Sequence, residues 1–258
     1  MDLGLVTYQI AADWDLTTLL EKCLSLNYAA VELRTTQAHG VEPALSSAQR
    51  LEVKKRFADS GVRLWGLGSI CEYDSPSPAE VKRNVELTKQ FVLLAAEVGA
   101  AGVKVRPNRL HETEGVPRQK TLEQIGKAFR ECGLFAKDHG VELWMEVHGR
   151  DTCLPANMKA ILETAHCDNS NICWNSNLAE VDAAGSILAG FNLLKPWIRS
   201  CHINELADRR YPWRQLFELL QSAGYERYTL AEIAGNPDPD RFLRYYRRLW
   251  EELQPRAV

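Results

Sequence analysis

Short runs rich in β-branched and other apolar residues recur at 2–7, 29–33, 62–67, 100–106, 141–147, 171–174, 198–204 and 228–233, with helical patterns between them. The last helical pattern is the clearest. Phe242, Tyr245, Tyr246, Leu249, Trp250 and Leu253 fall at the 3.6-residue spacing of a single buried stripe. Leu122, Ile125, Phe129, Cys132 and Ala136 repeat it within 118–139, as do Leu16, Leu19, Leu20 and Cys23 in the first helix. Ser46 with Gln49 reads as a capping box, and Ser77, Pro78 and Glu80 have the identities wanted at the N-cap and at the first and third helical positions. Stops recur as a helix tail, a glycine and then a strand, in DSG-VRLWGL, EVG-AAGVKV, KDHG-VELWMEV and SAG-YERYTLAEI.

Strands alternating with helices imply parallel pairing through right-handed crossovers, and eight strand–helix units are the number that closes a (β/α)₈ barrel. The expectation is one α/β domain over residues 1–258, since no Pro/Gly/Ser-rich linker or low-complexity tract divides the chain. An open doubly wound sheet is the competitor. The turn after the first strand, VTYQIAAD, argues against it because it lacks a glycine-rich phosphate loop. Residues 68–77 and 107–117, long for βα loops, are the expected lids.

Successive side chains of a strand point to opposite faces, so each strand splits into two registers. In 141–147, Val141, Leu143, Met145 and Val147 suit packing under helices, whereas Glu142, Trp144, Glu146 and His148 form the other register. The remaining strands likewise set Glu32, Lys104, Arg106, Asn175, His202, Asn204 and Glu232 opposite apolar residues. In a barrel this register points inward, and its polar members lie near the C-terminal strand ends, where barrel enzymes build their sites. Glu146, Asn175, His202 and Glu232 then converge from neighbouring strands. Two carboxylates in one desolvated pocket repel unless one is protonated or a cation lies between them. Two Glu, one His and an amide oxygen make a ligand set suited to Mn²⁺, Mg²⁺ or Co²⁺. Taken singly, each of these has a plain structural reading as a hydrogen-bonded strand residue; unpaired ionisable groups on several adjacent strand ends are costly enough to favour function. Glu32, Lys104 and Arg106 fit substrate contacts and an internal ion-pair network equally.

Composition adds exclusions. With 45% hydrophobic and 25% charged residues, the chain has the make-up of a core-forming globular protein, not of a disordered one. Lys plus Arg at 31 against Asp plus Glu at 34 gives a formal charge of −3, so no nucleic-acid partner is expected. The start lacks a basic segment followed by a long apolar one, and no run approaches the ~18 apolar residues of a membrane helix, so the expectation is a cytoplasmic protein without a membrane partner. Seven cysteines, odd in number and without CxxC spacing, read as reduced apolar residues.

AAVELR, LWMEVHG, ICWNSN, SCHINEL and AGYERYTLAEI, in this order and spacing, resemble the xylose-isomerase-like TIM barrels, along nearly the whole chain. That family includes sugar epimerases and isomerases, inosose dehydratases, hydroxypyruvate isomerases and a class of apurinic endonucleases. The resemblance implies that Glu146, His202 and Glu232 are metal ligands, that the two glutamates also handle the substrate proton, and that His148 contacts substrate. Asn175 stands where the family usually has a metal-binding Asp, which removes one ligand charge. The implied cofactor is a divalent metal, Mn²⁺, Mg²⁺, Co²⁺ or Zn²⁺. The zinc-cluster endonucleases need further histidines, and those here, at 39, 111, 139, 148, 166 and 202, fall mostly outside the matching motifs.

The expected activity is that of a sugar or sugar-derivative isomerase or epimerase moving a proton beside a carbonyl, with a small carbohydrate as partner. His148, Lys104, Arg106, Glu32 and Asn177 are expected to bind substrate, joined by Arg209 or Arg210 from the loop after His202. Trp14, Trp65, Trp144 and Tyr73 are candidates for an apolar wall under a sugar ring, or for core. The alternatives are a metal-independent isomerase of the hydroxypyruvate-isomerase type and a catalytically silent sugar-binding barrel. The oligomeric state stays open, with homodimer and homotetramer the assemblies considered.

Overall fold

The computed structural model describes residues 1–255. Residues 256–258 of the expected 1–258 domain lie outside them. Eight strands, β1 (Asp2–Val6), β2 (Ala30–Arg34), β3 (Arg63–Glu72), β4 (Gly102–Arg106), β5 (Glu142–Glu146), β6 (Ser170–Asn175), β7 (Ile198–Ile203) and β8 (Tyr228–Ala231), pair in sequence order. Every pairing is parallel, and β8 returns to β1 to close the barrel. One helix follows each strand: α1 (Leu16–Leu26), α2 (Ser47–Ser60), α3 (Pro78–Val98), α4 (Arg118–Asp138), α5 (Pro155–Ala165), α6 (Leu188–Leu194), α7 (Trp213–Ser222) and α8 (Pro239–Leu253). This is the (β/α)₈ barrel that the alternation predicts. No helix among the described residues is long and apolar enough to cross a membrane.

The outward registers of the strands pack under the helices, as with Val103 and Val105 of β4, Leu143 and Met145 of β5, and Ile172 and Trp174 of β6. A second, smaller cluster fills the lower interior of the barrel with Val6, Ala30, Trp65, Trp144, Cys173 and Leu230. Trp65 and Trp144 stack there with centroids 5.1 Å apart. Gly102 makes this possible, because a Cβ at that position would meet the Trp144 indole at 2.5 Å. Below, Trp144 Nε1 donates to Glu142 at 2.7 Å and Arg227 pairs with the same carboxylate at 2.8 Å, closing the N-terminal end.

Local signals mostly hold. The capping box of Ser46 and Gln49 forms, and Gly61 and Gly99 end their helices in the left-handed conformation. Ser77 differs: its side chain makes no cap bond, and Glu80 accepts from Ser75 Oγ at 2.7 Å instead. The seven cysteines are free, and all but Cys167 are buried. The segment 68–77 is largely not a loop. β3 continues to Glu72, which reaches register with Arg106 of β4 after an irregularity, while Ser69 Oγ donates to the Lys104 carbonyl at 2.7 Å. Residues 107–117 are pinned in place, since His111 bonds Asp74 and Glu114 at 3.0 Å each and Thr152 donates to the Asn108 carbonyl.

Candidate functional site

The C-terminal end of the barrel opens into a cavity of about 320 Å³. Neither expected lid contributes to it; Tyr8 and Gln9 after β1 and Ile233 and Ala234 after β8 line its rim. Of the sequence-predicted residues, Lys104, Arg106, Glu146, His148, Asn175, Asn177 and Glu232 all line it. Glu32 and His202 lie fully buried at its base. Arg209 is exposed and outside the cavity, and so is Arg210, which pairs with Asp208. The loop after β7 turns away, so neither arginine is brought to the site.

The aromatic wall does not form. Trp65 and Trp144 belong to the barrel floor, Trp14 packs in the outer core, and the Tyr73 hydroxyl bonds Thr88 at 2.8 Å outside the barrel. Alternation assigns a side chain to a face but not to a height along the barrel axis, and these rings lie too low or on the wrong side. Arg34 is the residue that sequence reading missed. It lines the cavity at the end of β2, two positions beyond Glu32 and in the same register. Extending the predicted strand by one residue would have found it.

Lys104 Nζ lies 2.6 Å from Glu146 Oε2, with both side chains almost wholly buried. Asn175 Nδ2 donates to the other oxygen of Glu146 at 2.8 Å. His202 is held between carboxylates, its Nε2 3.1 Å from Glu32 and its Nδ1 3.3 Å from Glu232 and 3.7 Å from Glu146. The electrostatics follow. Burial alone would raise the Glu146 carboxyl, but Lys104 and then His202 outweigh it and hold it well below the usual range. Burial likewise disfavours an imidazolium at His202, yet Cys173 and then the carboxylates of Glu32 and Glu232 push its pKa well above the ordinary value. At His148 burial prevails and keeps the ring neutral at pH 7.

Glu146, His202 and Glu232 each offer a ligand atom, all within 4.8 Å of one another. Two further observations fit a divalent ion. The His202 Nδ1 and Asn175 Oδ1 atoms are buried and without hydrogen-bond partners, as donors kept for a metal would be. In addition, three carboxylates (Glu32, Glu146 and Glu232) against the Lys104 ammonium leave two negative charges when His202 is neutral, the charge such an ion balances.

The sequence profile of the xylose isomerase-like TIM barrels matches residues 20–249. The chain belongs to this family. Among curated proteins none matches it in sequence. Within the same barrel architecture it is similar in structure to the D-psicose 3-epimerase of Clostridium cellulolyticum H10, with a TM-score of 0.82, 16% identity, and 99% of this chain and 100% of that one covered. It is similar also to a 3-keto-D-glucoside 4-epimerase from E. coli, at TM-score 0.79 and 15% identity over 98% of both chains. A probable 3-DHS dehydratase from Bacillus anthracis superposes at TM-score 0.73 and 14% identity, over 97% of this chain and 99% of that one. At such identities these likenesses show the shared fold.

Proposed function

We propose that this barrel, a single domain over residues 1–258, is a sugar or sugar-derivative isomerase or epimerase that moves a proton beside a carbonyl with a divalent metal, Mn²⁺ among the candidates, as helper. The observation that carries the reading is the convergence of the Glu146 and Glu232 carboxylates on the unpartnered Nδ1 of His202, at one end of a cavity sized for a small sugar. The names of its structural neighbours, two of them sugar epimerases, support it.

Glu146, Asn175, His202 and Glu232 would hold the metal. Bound there, a divalent ion supplies positive charge to the oxygens beside the carbon that loses its proton. The chain's own residues do the rest. Glu232, the more open of the two with 16% of its side chain exposed, takes the proton as a carboxylate in a partly desolvated pocket. A proton is returned by the hydrogen-bonded Lys104–Glu146 pair, the ammonium giving it up while Glu146 keeps its charge and holds Lys104 in place. The site is restored when Glu232 releases its proton to water and Lys104 takes one up. Return to the opposite face of the same carbon gives epimerisation; return to the neighbouring carbon gives aldose–ketose isomerisation. His148, neutral with an unpartnered Nδ1, and Asn177 bind substrate hydroxyls.

A second reading has its own observation. Lys104 and a protonated His202 already bring positive charge to the carboxylates, which is what an isomerase that works without metal needs. Metal analysis of protein purified without chelator, combined with deuterium incorporation from D₂O across a ketose panel, separates the two. Stoichiometric metal that is lost together with exchange in EDTA is the expected result. Exchange that persists in metal-free protein would transfer the function to the second reading. Absence of both turnover and exchange would leave a sugar-binding barrel.

A further inference from the structure

Three cations line the cavity, and they differ in how they are satisfied. Lys104 is paired with Glu146, and Arg106 with Glu72, whereas Arg34 forms no ion pair among the described residues. The Nη1 of Arg34 and the Nε of Arg106 are nevertheless buried and without a hydrogen-bond partner. An unpaired guanidinium N–H shielded from water is expensive, and an oxyanion is the ligand that best removes the cost. Arg34 is also held in place. Its backbone N–H donates to Thr7 Oγ1 at 2.8 Å, and its guanidinium lies over the Tyr8 ring at 5.9 Å. Gly68 leaves the space its side chain occupies, because a Cβ there would come within 3.3 Å of Arg34 Cδ and 2.7 Å of Glu32 Oε1.

The two arginines flank this notch. Arg34 is in register with Gly68, Gly68 with Lys104, and Arg106 follows Lys104 by two positions on the same face. The Glu146 and Glu232 carboxylates of the same lining repel an anion. A substrate carrying one negative group therefore has a single favourable orientation, with its charge on the arginines and its reacting carbon against the carboxylates.

We infer that the substrate is an acidic sugar derivative whose carboxylate or phosphate is bound by Arg34 and Arg106. The inference rests on reading this cavity as a sugar site, and it adds the charge of the molecule that enters. Carboxylate and phosphate offer the same oxygens to the guanidinium fork.

The test is calorimetric titration of the intact protein, as purified, with D-fructose, D-fructose 6-phosphate and D-fructuronate, which share a carbon skeleton and differ at C6. At least one acid is expected to bind about tenfold or more tightly than fructose, the preference weakening as salt rises. The tighter of the two acids identifies the source of the oxyanion. Arg34→Gln brings the ratio of acid to neutral affinity close to one, and Arg34→Lys restores part of it; melting curves confirm that both variants are folded. Equal affinity for all three sugars would overturn the inference, as would an equal loss for all three in Arg34→Gln, or no binding of either acid at millimolar concentration. Acid binding without deuterium exchange would keep Arg34 in its role and remove the isomerase reading. Exchange on a neutral ketose with no preference for acids would do the reverse.

Discussion

Trp144 and Glu146 stand two residues apart on the same face of β5, yet one closes the floor of the barrel and the other opens onto its cavity. The contrast repeats in Ala30 and Glu32, Cys173 and Asn175, and Leu230 and Glu232. Each of these four strands thus gives an apolar or small residue to the lower layer and a polar one to the layer above. The lower layer has its polar atoms satisfied, as where Trp65 Nε1 donates to Ser200 Oγ at 3.1 Å. In and around the upper layer Glu32, Arg34, Arg106, His148, Asn175, His202 and Asn204 each keep a buried atom without a partner. Such orphans are rare in folded proteins, and their concentration at one end supports the ligand site proposed there.

Substitutions should therefore separate the layers. Glu232→Gln is expected to lower the rate of proton exchange roughly 10²–10⁴-fold, the usual weight of a positioned acid or base, with a melting temperature unchanged or raised because a repelling carboxylate is gone. A melting temperature that falls with activity would make Glu232 structural. Trp144→Ala should do the opposite, costing about 3–5 kcal/mol in denaturant unfolding through the cavity it leaves, while the molecules still folded remain active. If Trp144→Ala were neutral, the floor would not be what holds the upper layer in position.

Asn175→Asp sharpens the comparison within the upper layer. Restoring a ligand charge should tighten divalent-metal binding by about tenfold in a competition titration. The same change removes the hydrogen bond to Glu146 and sets two carboxylates together, so the metal-free variant should melt lower than the parent and regain stability with metal. Unchanged metal affinity would place Asn175 outside the ligand set.

Glu180 gives the smallest expected effect. It is a buried carboxyl beyond β6 whose Oε2 has no partner, and burial raises its pKa well above the usual 4.5, though a hydrogen bond from Asn177 opposes this. The folded chain then keeps a proton that the unfolded chain releases, so Glu180 costs stability increasingly as pH rises from about 4.5 toward the raised value. Glu180→Gln should therefore stabilise by about 1–2 kcal/mol above neutral pH, with the gain vanishing in acid. A gain independent of pH would show that packing and not protonation is responsible.

Much of this site was legible in the strand registers. Glu146, Asn175, His202 and Glu232 fall on the inward face by alternation alone, and all four reach the base or wall of one cavity. Glu32 and Lys104, read equally as substrate contacts or as an ion-pair network, prove to be tied to His202 and Glu146. Arg34 escaped because one residue of strand was not counted. The expected lids failed because β3 runs on to Glu72 and because His111 anchors the next loop, contacts made by residues distant in sequence. The same limit applies to the aromatic wall, since only the Gly66 and Gly102 notches explain why Trp144 lies flat in the floor.

By itself the sequence determined the number of strand–helix units and the face of each strand side chain. Both follow from local periodicity, two residues per strand repeat and 3.6 per helical turn, together with caps and glycine stops. The tertiary structure alone decided how high each inward side chain sits and which polar groups find partners. Height depends on the stagger between neighbouring strands and on where a missing Cβ lets a side chain lie across the barrel, and partners come from strands far apart in the chain. That is why the sequence could assemble the carboxylates and the histidine, while the lack of a partner for the Arg34 guanidinium emerged only from the closed barrel.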